Sequence, residues 1–217
     1  MKFQPAPSLM WFEKWRYRAT SAPLRLSCAC VAVGLWSLIL RTVDGGASWN
    51  AVTPPKPPDG GKADRNLLRV FASRAGTLLV AAEQGTVLRS SDGGASWTYT
   101  ATGFRGSLWC GTALDDGSLL VAGLRGALYR SSDDGLTWTA LASGVKSSIT
   151  DVLARGPGVL AVGLDGLVLD SPAPGAAFNA RQRADRLPLT ALVLNAQGEA
   201  VAFGKRGPLP PGDPGKA

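Results

Sequence analysis

The sequence predicts an all-β fold, an incomplete β-propeller of about four to five four-stranded blades, and three observations carry that reading. The first is a recurring octapeptide: Thr42-Val43-Asp44-Gly45-Gly46-Ala47-Ser48-Trp49 returns as Ser90-Ser91-Asp92-Gly93-Gly94-Ala95-Ser96-Trp97 and as Ser131-Ser132-Asp133-Asp134-Gly135-Leu136-Thr137-Trp138. The second is its spacing. With a degenerate fourth copy starting at Ser171, the copies begin 48, 41 and 40 residues apart, and the long first interval holds a Pro-rich insertion at 54–64. A period near 40 residues is that of one propeller blade. The third is composition: 27 Gly, 15 Pro and only 18% charged residues describe many reversals between short apolar runs.

Along the chain, residues 1–25 match no repeat, and their mixture of Trp11, Phe12, Trp15 and Tyr17 with Lys14, Arg16 and Arg18 reads as an N-terminal extension. Residues 26–40 form an uncharged apolar run after a basic stretch. That order resembles the apolar region of a secretory signal, and the run is short for a membrane-spanning helix. Because it overlaps the repeat, we assign it to a blade and leave export open. The propeller domain then covers 26–207, with blades at about 28–52, 66–100, 106–141, 147–180 and 187–207. The middle three units are whole, the first lacks a first strand, and the last stops after its second. In the best copy the strands fall at 107–114, 119–123, 127–131 and 137–141, separated by Gly- and Asp-rich turns. The Pro- and Gly-rich tail 208–217 reads as disordered.

The octapeptide makes physical sense as a self-contained hairpin clamp. Asp44, Asp92 and Asp133 can accept hydrogen bonds from backbone amides further along the turn, and Gly46, Gly94 and Gly135 supply a positive φ. Trp49, Trp97 and Trp138 then fold a large apolar face under the sheet, with the indole N–H reaching an acceptor. The fourth copy keeps Gly175 and replaces Trp with Phe178, having lost the Asp. Paired carboxylates also serve glycosidases. Here the three carboxylates repeat at one position per blade, which spreads them around a periphery and argues for a structural role.

Other chemistries are disfavoured by composition. The chain has no His, which excludes a His-dependent triad or base. Its three cysteines, Cys28, Cys30 and Cys110, lack the paired spacing of a zinc site and read as core residues. No catalytic residue, metal or cofactor is predicted. The formal charge of +7 is scattered without a tight basic and aromatic stripe, so nucleic acid is not an expected partner.

These residues resemble the Asp-box, or bacterial neuraminidase repeat, proteins, and among them the photosystem II assembly and stability factor-like group. The group's unit looks like VAVGxxGxIxRSxDGGxxW, which 31–49, 80–97 and 121–138 follow, and the likeness covers about 28–207. The resemblance implies a seven-bladed, non-enzymatic scaffold that binds protein partners, a membrane complex under assembly among them, with no small-molecule substrate; many relatives are exported. Seven blades need more chain than this one has. The alternative is a sialidase-like hydrolase or a carbohydrate-binding propeller. Sialidases need an Arg-Ile-Pro motif, absent here, and a Tyr nucleophile, for which only Tyr17, Tyr99 and Tyr129 exist. The expected binding face is the set of turns between second and third strands, where Glu83, Arg125, Asp165 and Arg206 are the candidates.

Overall fold

The structure, a computed structural model, describes residues 29–173, 175–212, 214 and 215; the N-terminal extension and Cys28 lie outside them. Five antiparallel sheets follow one another along the chain. The first is β1 (Cys30–Val33), β2 (Ile39–Thr42) and β3 (Asn50–Ala51). The second is β4 (Leu67–Ala72), β5 (Leu78–Ala82), β6 (Thr86–Ser90) and β7 (Thr98–Ala101). The third is β8 (Leu108–Ala113), β9 (Leu119–Gly123), β10 (Leu128–Ser131) and β11 (Thr139–Ala140). The fourth is β12 (Ile149–Arg155), β13 (Gly158–Gly163), β14 (Leu167–Ser171) and β15 (Asn179–Gln182). The fifth is β16 (Leu189–Leu194), β17 (Ala200–Gly204) and β18 (Gly207–Pro208).

Register identifies the incomplete blades. Cys30 faces Thr42 across the first ladder, as Leu78 faces Ser90, Leu119 faces Ser131 and Val159 faces Ser171. The first sheet therefore begins, among the described residues, with a second strand. At the other end the chain continues further than composition suggested. Beyond β18, the Leu209 amide donates to the Ala202 carbonyl, the Gly212 amide to the Ala200 carbonyl, and Arg183 donates to the Pro214 carbonyl. The stretch read as a disordered tail is held to the fifth blade by hydrogen bonds that its Pro-rich composition does not advertise.

No sheet has a core of its own. The buried side chains gather instead in four layers, one per joint between neighbouring blades, and each layer is anchored by the first residue of an innermost strand: Leu67, Leu108, Ile149 and Leu189, all 3% exposed or less. The alternation of a strand divides its residues between the two joints. Leu79 and Val87 serve the joint to the third blade, while Val80 and Leu88, on the other face of the same sheet, serve the joint to the first. On the outer sides of the first and fifth described blades apolar side chains are exposed, as at Leu38 and Val193.

Each described innermost strand carries a bulge directly after its anchor, at Leu67/Arg69, Leu108/Cys110, Ile149/Asp151 and Leu189/Ala191. The residue after the bulge is Arg69, Cys110, Asp151 or Ala191. Cys110 is buried, and burial pushes its thiol well above the ordinary range. Asp151, also buried, is raised by the same desolvation, against which the nearby Arg69 acts. Its carboxylate accepts the Val152 amide at 2.9 Å and the Leu192 amide of the fifth blade at 2.8 Å, and Thr150 donates to the Leu189 carbonyl at 2.6 Å. The bonds to Leu192 and Leu189 stitch the fourth blade to the fifth. Asp151→Ala leaves both amides without that acceptor and is expected to cost about 2–4 kcal/mol of stability. Urea unfolding checks this, with Asp151→Asn losing clearly less.

Candidate functional site

The turns divide between two faces. On one face the octapeptide turns join third to fourth strands; on the other, short turns join second to third strands beside the connections between blades.

On the octapeptide face the three intact boxes share one hydrogen-bond pattern. The Thr42 hydroxyl donates to Asp44 Oδ1 at 2.7 Å and accepts the Gly46 amide at 2.9 Å. Asp44 in turn accepts the Ser48 amide at 2.9 Å and the Ser48 hydroxyl at 2.6 Å. Ser90, Asp92 and Ser96 repeat it, with the Gly94 amide on Ser90, and so do Ser131, Asp133 and Thr137, with the Gly135 amide on Ser131. Both oxygens of each carboxylate are thus engaged within its own turn. In the fourth copy the Ser171 hydroxyl, with no carboxylate to meet, lies within reach of the Ala173 and Ala176 carbonyls. The second box glycine is required by conformation and by space: Gly135 has φ 83°, and a Cβ there would fall 2.4 Å from Leu79 Cδ2 across the joint.

The box aromatics reach back into the preceding joint. Trp97 packs with Ile39 of the first blade and donates to the Gly94 carbonyl at 3.2 Å. Trp138 donates to Thr100 of the second blade at 3.0 Å, and Phe178 packs in the layer between third and fourth blades. Trp49 is half-buried behind the first box. The arginines before the first two boxes reach forward, Arg41 donating to the Gly93 carbonyl at 2.8 Å and Arg89 to the Asp134 carbonyl and carboxylate, each at 2.8 Å, whereas Arg130 before the third donates to Asp116 of its own blade at 2.6 Å.

On the opposite face, Trp36, Gln84, Arg125 and Asp165 have φ of 58°, 56°, 56° and 56°, and each is followed by a second residue of positive φ. Two consecutive left-handed residues make the type I′ hairpin turn, whose twist matches the flanking strands. Gly126 allows close approach here, since a Cβ would lie 2.3 Å from the Val145 carbonyl oxygen. This corrects the position of Glu83. It precedes the turn tip, so Gln84 is the equivalent of Arg125 and Asp165, and Trp36, 75% exposed, is the equivalent in the first blade. Glu83 instead accepts the Asn66 amide at 2.9 Å and the Asn66 side chain at 3.0 Å, bracing the chain as it enters β4. Arg206 also differs: Gly204 pairs with Gly207, so Lys205 and Arg206 together form a tighter tip, and only Gly207 has positive φ. Gln84, Arg125 and Asp165 were findable in the sequence as the residue before the turn glycine, though the Ala82-Glu83-Gln84-Gly85 copy hides this because Ala replaces the Gly that opens the other turns; Trp36 has no such mark, since Ser37 stands in place of the turn glycine.

Tyr99 and Tyr129 do not join this face. Tyr99 lies on β7 with the Arg65 guanidinium 5.4 Å from its ring centre, and burial raises its hydroxyl above the ordinary range. Tyr129 meets Phe104, ring to ring, at 6.2 Å. Among the described residues no three His, Cys, Asp or Glu side chains converge as metal ligands would.

Comparison with known proteins follows this geometry. A family model described as photosynthesis system II assembly factor YCF48 matches residues 29–186. The chain belongs to that family. No curated protein matches it. Among solved structures, a YCF48 bound to a D1 peptide is similar at 22% identity and TM-score 0.62, over 81% of this chain and 56% of that one. YCF48 from Cyanidioschyzon merolae is similar at 15% identity and TM-score 0.63, over 86% and 66%. The WD40 repeats of RRP9, at 15% identity and TM-score 0.64 over 80% and 53%, share the propeller fold. The chain thus spans between about half and two thirds of the length of these structures.

The box carboxylates carry a pH dependence. Hydrogen bonds, first from the Thr137 hydroxyl and then from its amide, lower Asp133 from 3.8 to about 2, and the Ser48 and Ser96 hydroxyls hold Asp44 and Asp92 well below the ordinary range. A carboxyl with a lower pKa folded than unfolded stabilises the fold above its unfolded pKa, and this is lost as pH falls through the folded value. Stability is therefore expected to drop between about pH 4 and pH 2. Urea midpoints across that range check it, and Asp133→Asn is expected to be less stable at neutral pH and to show a shallower acid loss.

Proposed function

We propose that this chain is a non-enzymatic propeller scaffold that binds a protein partner through the face of second-to-third-strand turns. Family membership supports a role in assembling a membrane complex, and the D1 peptide held by a related YCF48 supports recognition of a peptide segment. The observation that carries the choice of face is a contrast within the repeat. The box turns are nearly invariant from copy to copy and spend their polar groups internally, whereas the opposite tips change from Trp36 to Gln84 to Arg125 to Asp165 on one constant backbone. A constant frame with variable exposed tips is how a rigid scaffold presents a binding surface.

A photo-crosslinking amino acid placed singly at Arg125, at Asp165 and, on the octapeptide face, at Ala95 tests this. Adducts with a discrete protein are expected from the first two positions in cells expressing the chain. Adducts confined to Ala95, or none at all, contradict the proposal.

A further inference from the structure

Each joint between blades has two unlike halves. The blade earlier in the chain supplies a forward-facing half, and the blade after it a backward-facing half. In the second blade Phe71, Leu79, Ala81 and Val87 face forward, into the layer shared with the third, whereas Val80, Ala82, Leu88 and Trp97 face backward, into the layer shared with the first. Strand alternation and the ladder registers carry this division to the outermost described blades. The outer side of the first blade is a backward-facing half, with Ala32, Leu38, Leu40 and Trp49. The outer side of the fifth is a forward-facing half, with Val193, Val201 and Phe203.

Both outer halves are apolar and open. Leu38 is 46% exposed, whereas its equivalent in the fourth blade, Leu167, lies in a joint at 4%. Val193 is 45% exposed, whereas its equivalent in the second blade, Phe71, lies in a joint at 6%. The box glycines repeat the contrast. Gly94 and Gly135 are buried, and a Cβ on them would fall 2.6 Å from Val31 and 2.4 Å from Leu79, which occupy one forward-facing position of successive blades. Gly46 is exposed, and a Cβ there would meet only Trp49 of its own box. The fifth blade presents the same forward-facing position as Val201, itself partly exposed.

We infer that a second copy of this chain covers these surfaces: the first blade of one copy docks on the fifth blade of another, repeating between two chains the joint that is made four times within one. The internal joints identify the occupant. In each of them a forward-facing half meets a backward-facing half, and the described residues carry one further half of each kind. The joint between copies sets Gly46 over Val201, with Leu38 and Leu40 in one apolar layer with Val193 and Phe203. Among the described residues no innermost strand precedes β1, so this joint lacks the anchor of the internal ones, and it also bears the entropy cost of association. It is therefore weaker than they are. The two surfaces differ, so the contact runs head to tail, closing into a ring where the rotation per copy allows and extending into an open chain where it does not. The inference concerns the sides of the blades, and it stands apart from the scaffold reading and its turn face.

Sedimentation velocity of the full chain across a dilution series tests it. Species larger than one copy are expected at the concentrated end. Leu38→Glu and Val193→Glu each place a carboxylate that docking would bury unpaired, and each is expected to weaken self-association about tenfold or more. Leu136→Glu, at a position 58% exposed on the third box, is expected to stay within about twofold. Each of the first two variants keeps the half that the other has lost, so mixing them is expected to give a one-to-one dimer that grows no further. Urea midpoints near the wild-type value show that the variants are folded before mixing; if either midpoint falls, Leu38→Ser and Val193→Ser take their place. A single-copy species at every concentration overturns the inference. So does self-association that survives both variants, association lost in only one of them, as a surface meeting its own copy would show, or a mixture that stays as two monomers.

Discussion

Everything in this molecule depends on apolar contact between sheets that cannot be stable alone. A three- or four-stranded blade buries neither of its faces by itself, and stacking neighbours supplies the core. Each joint has an inner-strand anchor such as Leu108 and alternate residues of the middle strands, and the first three add an aromatic from the following box, Trp97, Trp138 or Phe178. The box exists to aim that aromatic. By closing the turn on its own hydroxyl and carboxylate groups, it presents Trp97 or Trp138 to the previous blade with no help from outside.

That self-sufficiency explains how much of the fold could be read directly. A motif whose partners all lie within eight residues repeats with the blade, so the period, the blade boundaries and the strand order follow from residues such as Asp92, Gly94 and Trp97. The candidate site was less legible, because a turn tip has no such signature. Glu83 and Gln84 are both polar and adjacent, and only backbone conformation shows that Gln84 occupies the tip. Asp151 was invisible for another reason: the amides that donate to it, Val152 and Leu192, lie in two blades, and nothing local marks a carboxylate that will be buried. The tail erred the opposite way, since Pro208 and Gly212 look structureless until the middle strand of the fifth blade offers them partners.

Charge shows the same division between local and distant information. The net excess of cations is a property of composition, but its distribution depends on which arginines find aspartates across turns and joints. Arg130 and Asp116 are fourteen residues apart and Arg89 and Asp134 forty-five, yet each pair is a close contact. Both pairs lie on the octapeptide face, a grouping that no single stretch of sequence contains.

The bulge in each innermost strand has a consequence for how such a protein can vary. The anchor before it is Leu, Leu, Ile and Leu in the four copies, while the extra residue is Leu68, Trp109, Thr150 and Thr190. A ladder tolerates little change where it is paired, but an unpaired position can be rewritten without shifting the register of its neighbours. Each described innermost strand therefore contains one inner-wall residue outside the ladder, next to the one least free to change; successive copies have diverged there in size and polarity, and Thr150 has been put to a new use, donating to the Leu189 carbonyl of the next blade.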